Sequence, residues 1–198
     1  MDRKTLKQNA KESLKSCNTN PYLVTLAYLA ISFALSFVGG LFEEGSLVAF
    51  IFIIVMDVVM WVLSTGYYWW ALSVARNSDN TGEFTFAFTK IIPVVITTLL
   101  VSIIICIGLV LLIVPGIIAS FGLSMSFYCL RDDPDAGVIA AMKKSWEIMK
   151  GHKMDYFILC LSFIPWALLE VVTCGIAAIY VTPYFSTVIA NFYDEINQ

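Results

Sequence analysis

Three long apolar blocks, at residues 22–75, 91–130 and 156–193, alternate with short polar stretches and follow a polar lead at residues 1–20. The middle block is the plainest, with 40 residues and no charge. That is about twice the roughly 20 residues needed to cross a 30 Å hydrocarbon core. Each block therefore predicts two membrane helices and a turn. In the first, Gly39-Gly40-Leu41-Phe42-Glu43-Glu44-Gly45 stops one helix, and the next begins near Ser46. In the second, Pro115-Gly116 falls near the middle, where a missing amide proton and a loose backbone suit a tight turn. In the third, Thr173-Cys174-Gly175 takes the same place. The pattern predicts an all-α polytopic membrane protein, with residues 21–198 forming one domain of six transmembrane helices in three hairpins.

Shorter periodicities fill in the polar stretches. Leu6, Ala10, Leu14 and Cys17 recur at helical spacing beneath a lysine-rich face, and Ile139, Met142, Trp146 and Met149 form a similar stripe beside Lys143, Lys144 and Glu147. Such segments predict amphipathic helices in the headgroup plane. The counterpart at residues 82–90 alternates Phe84, Phe86 and Phe88, so its backbone is ambiguous. An interfacial segment thus precedes each hairpin, which suggests a threefold repeat. Each hairpin also ends in aromatics (Tyr67-Tyr68-Trp69-Trp70, Phe127-Tyr128, Phe192-Tyr193), whose half-apolar, half-polar rings suit the headgroup boundary. Small residues mark expected helix contacts: Ser32, Ser36 and Gly40; Gly116, Ser120 and Ser124; Ala178, Thr182, Ser186 and Ala190. Pro183 is expected to bend its helix and free the carbonyl of Ile179.

Charge then sets orientation. All 12 Lys and Arg lie outside the apolar blocks: five at residues 3–15, two at residues 76–90 and five at residues 131–153. Lys/Arg-rich segments stay cytoplasmic, so both termini and every basic island share the inner side of a bacterial cytoplasmic membrane. A composition of 59% hydrophobic and 14% charged residues, with mean hydropathy +0.82, fits lipid as the solvent. The run at residues 22–38 is long enough to span and follows a long polar lead, so it reads as an uncleaved first helix rather than a signal peptide. Membrane lipids are the expected partners, beside a partner protein or a second copy. The basic residues belong to juxtamembrane segments without a groove-reading motif, so no nucleic-acid partner is expected.

The second half resembles a known family. Residues 112–118 (Leu-Ile-Val-Pro-Gly-Ile-Ile), Arg131-Asp132-Asp133-Pro134 and the run from Lys144 to Lys153 carry most of the likeness, with Pro165-Trp166, Thr173-Cys174-Gly175, Pro183-Tyr184 and Phe192-Tyr193 following in order. The likeness extends weakly to Ala10-Lys11, Leu14-Lys15 and Ala75-Arg76-Asn77. Together these segments resemble the bacterial integral-membrane family catalogued as domain of unknown function 975. Where that family typically has a glycine–tryptophan pair, this chain has Pro165-Trp166. The resemblance implies a polytopic bacterial membrane protein and implies no activity.

Few residues offer chemistry. Asp57 lies near the middle of the second predicted helix, where an ionised carboxylate costs roughly 2.5–3.5 kcal/mol. It reads either as a proton or cation relay or as a neutral interhelical hydrogen bond to Ser64, Thr97, Thr98 or Ser102. Glu170, three residues before an outer turn, points into an external vestibule or snorkels to the surface. Trp146, Met149, His152 and Lys153 are candidate lipid or partner contacts, with Gly151-His152-Lys153 ending the amphipathic helix. Asp132, Asp133 and Asp135 match no calcium loop and favour the start of the next helix. Five scattered cysteines and one histidine supply no disulfide framework, metal site or triad, and no cofactor is implied. The expected function is non-enzymatic: binding lipid or a partner protein as an accessory to transport or envelope processes. The alternative is a small transporter with Asp57 as its coupling residue.

Overall fold

A backbone surrounded by apolar side chains must satisfy its own N–H and C=O groups, and a helix does so within one segment. The computed structural model describes residues 3–17, 19–39, 47–78 and 81–197, and among these it is helical without a strand. The helices are α1 (Arg3–Ser16), α2 (Pro21–Gly39), α3 (Leu47–Ala75), α4 (Gly82–Thr89), α5 (Ile91–Leu111) and α6 (Ile113–Leu123). After them come α7 (Ser126–Asp132), α8 (Val138–Ile148), α9 (Lys153–Leu161), α10 (Ile164–Val172) and α11 (Ala178–Ile196). Five stretches are long and apolar enough to cross a membrane: Pro21–Val38, Phe50–Ala75, Ile91–Leu111, Ile113–Asp132 and Lys153–Val172. The last two run through short breaks, at Ser124-Met125 and at Ser162-Phe163. α11, expected as a sixth span, is less apolar because Asn191, Asp194 and Glu195 crowd its end.

The predicted turn at residues 39–45, with Gly40, lies outside the described residues apart from Gly39. The turn of the middle block falls three residues earlier than expected. Leu112 is extended (φ −160°, ψ 133°), and Pro115 sits in the first turn of α6, where a helix has no use for its N–H. Gly116 instead serves close approach. A Cβ there would lie 2.6 Å from the Leu109 nitrogen, and one on Gly108 would lie 2.8 Å from the Gly116 Cα. The third turn is where it was predicted. Cys174 (φ 50°) and Gly175 (φ 87°) reverse the chain, and the Gly175 amide donates to the Glu170 carbonyl at 2.8 Å, a helix-ending geometry.

The structure settles one ambiguity of the sequence pattern and departs from that pattern twice. α4 is a helix, resolving the ambiguity of its alternating phenylalanines. The stripe of α1 does not face outward: Leu6 and Ala10 are buried against α11 and α3. The aromatics at the hairpin ends are core rather than belt. Tyr67, Trp69, Trp70, Tyr128, Phe192 and Tyr193 are all buried, and of the four in the first group only Tyr68 is exposed. Large rings fill the space where helix ends converge, and two of the polar tips pair across helices, although the buried Trp70 Nε1 has no hydrogen-bond partner among the described residues. The Tyr67 hydroxyl pairs with Thr25 at 2.8 Å, and Trp69 Nε1 donates to the Phe127 carbonyl at 2.8 Å.

The small-residue stripes divide. Ser186 and Ala190 are buried in α11, as expected. In α6 the buried set is Gly116, Ala119, Gly122 and Leu123, one position off the predicted serines. In α2, Ser36 is exposed and Ser32 returns its hydroxyl to the Tyr28 carbonyl at 2.8 Å. Pro183 lies inside α11 without ending it.

Candidate functional site

The ends of α3, α7 and α11 meet at a guanidinium. Arg76, just past α3, donates to Asp132 Oδ1 at 2.7 Å and to Asp194 Oδ1 at 2.7 Å. Tyr193 donates its hydroxyl to Asp132 Oδ2, also at 2.7 Å. The hydrogen bond that Arg76 donates to Asp132 raises the Arg76 pKa above its ordinary value, against the opposing effect of burial, and Asp194 adds to the rise. Charge-assisted bonds of this length are the strong kind, and here they lock three helix ends together. Beside them a cleft of about 420 Å³ between α1 and α11 is lined by Thr5, Asn9, Asn191, Asp194 and Glu195.

A second pair holds α4 to α7. Arg131 grips Glu83 with two nitrogens, one at 2.6 Å, and Glu83 is only 4% exposed. The Arg131 guanidinium also lies over the Phe86 ring, 4.8 Å from its centroid. The bidentate fork supplies the compensation that a buried carboxylate requires.

α8 closes this end. Ser145 donates to the Gly122 carbonyl at 2.9 Å and accepts the Met125 amide at 3.2 Å. Met149, a candidate lipid contact, is instead fully buried in the core, because the inner stripe of α8 runs through Ala141, Met142, Ser145 and Met149. Trp146 is half-buried on the flank, so close to Gly122 that a Cβ there would overlap its ring. The Lys153 ammonium stands 3.8 Å from the centroid of that ring. Ile139, 64% exposed, and Trp146 line an apolar cleft of about 390 Å³ with Leu100, Ile104 and Lys143. His152 lies next to Lys153 before α9, with the Asp155 carboxylate 3.7 Å from its Nδ1, beyond hydrogen-bond range.

The acids singled out in the sequence lie apart from this end. Asp57 is exposed on α3 among Ile53, Ile54 and Val55, which are exposed too. Three of its four suggested partners turn their hydroxyls to their own helices: Ser64 to Trp61, Thr97 to Pro93 and Thr98 to Val94. Glu170 is half-buried at a cleft between α10 and α11. Asp132, Asp133 and Asp135 take separate partners. Asp133 accepts the Ala136 amide at 3.1 Å, and Asp135 lies 3.7 Å from Lys90. No cluster able to hold a metal occurs among the described residues.

A family model described as protein of unknown function DUF975 matches residues 89–198, more than half of the chain. The chain belongs to that family. Neither a curated protein nor a solved structure matches it. The DUF975 match contains Glu83's partner Arg131 and the Asp132, Tyr193 and Asp194 group, whereas Arg76 and Glu83 precede it. The two ionic locks therefore join the matched part to the segment before it. Sequence reasoning missed both locks. Their only signal was an arginine directly after an aromatic helix end, with acids at the ends of two other helices.

Proposed function

We propose that this DUF975 member is a non-enzymatic integral membrane protein of a bacterial cytoplasmic membrane, which binds anionic lipid at its basic end as an accessory to transport or envelope processes. It crosses six times, with α11 as the sixth span and both termini cytoplasmic. The positive-inside rule supports that sidedness, and the cover given to α11 by α1, α2 and α3 supports its spanning role, since its polar residues then need not meet lipid.

The flank of α8 carries the binding reading: an open apolar cleft under Ile139 and Trp146, with Lys143 at its wall and Lys153 over the indole. An acyl chain suits the cleft, and a phosphate headgroup suits the two ammonium groups, each worth about 1 kcal/mol near an anionic surface. The test is native mass spectrometry after extraction from nanodiscs holding phosphatidylglycerol and phosphatidylcholine. Wild type should retain phosphatidylglycerol, and Lys143→Glu with Lys153→Glu should lower retention by about tenfold or more. Equal retention of the two lipids by wild type would refute this function.

A further inference from the structure

α10 and α11 are joined by a tight turn yet touch sparsely. Between them and α9 lies a cleft of about 360 Å³, walled by Phe163, Ala167, Val181 and Phe185, with Glu170 and Thr182 as polar members. Ligand pockets fall in the range of about 300–1,000 Å³. The Glu170 carboxyl makes no hydrogen bond or ion pair with a described residue. A carboxyl left alone on an apolar wall is costly, and a cationic partner offsets that cost.

The two ends of the cleft differ in charge. Lys7 places its ammonium 4.6 Å from the Phe163 centroid, so a second cation is repelled there and attracted at Glu170. We propose that this cleft binds a single-chain amphiphile with a cationic amine head, the alkyl chain lying along Phe163, Ala167 and Phe185 and the ammonium pairing with Glu170. The site lies on a different face from α8 and takes the opposite charge, so it goes beyond the anionic-lipid reading and can fail without it.

The test is a native mass spectrometry titration of the full chain in a neutral detergent, using hexadecylamine and hexadecanol as probes. Wild type should bind one hexadecylamine about tenfold more tightly than hexadecanol, the size expected of one charge-assisted contact. Glu170→Gln should bring the amine to the level of the alcohol and leave the alcohol unchanged. Ala167→Trp, which fills the apolar wall, should weaken both. Equal affinity of wild type for the two probes overturns the proposal whatever the variants do. An amine preference that survives in folded Glu170→Gln, with its melting midpoint unchanged, overturns it as well.

Discussion

α5 and α11 lie in one bundle and follow opposite rules. α5 is the most apolar of the five candidate spans and buries only Val94 and Thr97. α11 carries Ser186, Thr187, Asn191, Tyr193 and Asp194, and it buries ten of its 19 residues. In water the more apolar helix would take the centre. With lipid as solvent, apolar side chains gain little by leaving the surface, and the polar groups seek protein partners instead. Of the six helices the sequence predicts as spans, the one that looks least like a span is therefore the one the others surround.

Paired substitutions sharpen that contrast. Phe192→Ala in α11 should cost about 3–4 kcal/mol, because a fully buried ring leaves a cavity, whereas Val110→Ala in α5 should cost under about 0.5 kcal/mol. Thermal or denaturant unfolding in detergent measures both, and similar losses would erase the distinction between the two helices. Glu83→Gln should cost about 2 kcal/mol, since Arg131 keeps partial solvent access but loses its ionic partner. An unchanged midpoint would mean that this buried pair contributes nothing to docking α4.

Smaller effects test where the lines fall. Gly116→Val should cost about 1–3 kcal/mol by forcing α5 and α6 apart, while Ser120→Val, four residues on, should be nearly neutral. The reverse order would restore the serine stripe as the contact face. Tyr193→Phe should cost about 1.5 kcal/mol through the lost bond to Asp132. The smallest shift is expected at the residue that looked sharpest. Asp57→Leu should move the unfolding midpoint by less than about 0.5 kcal/mol, because its exposed carboxyl has no hydrogen-bond or ionic partner among the described residues. A clear destabilisation would place Asp57 in a contact that the bundle's exterior does not offer.

Much of the fold was legible because the signals are long and additive. Charge-free runs, the Thr173-Cys174-Gly175 turn and the spacing of Leu6 and Ala10 each report on their own neighbourhood. Pro115 misled because proline suits both a turn and the first turn of a helix, and only the extended Leu112 separates the two. The aromatics misled for a related reason. A ring at a helix end reads alike whether it meets headgroups or other rings, and the choice depends on which helices converge there. The candidate site was the least legible. Arg76 reaches Asp132 across 56 positions and Asp194 across 118, and no local pattern encodes pairings that distant. The stripe of α8 was found, but with its faces confused, so Met149 was assigned to lipid when Trp146 and Ile139 are the outward residues.

The Arg76 lock also bears on how the chain is made. α11 emerges from the ribosome after α1, α2 and α3, the helices that enclose it. Until it arrives, Arg76 has at most one of its two carboxylates, and the groove that takes Phe192 and Tyr193 stands open in the bilayer. A nascent chain paused before α11 is therefore an unfinished bundle with a half-paired Arg76 and an open groove, the kind of intermediate that insertases shelter and membrane proteases remove.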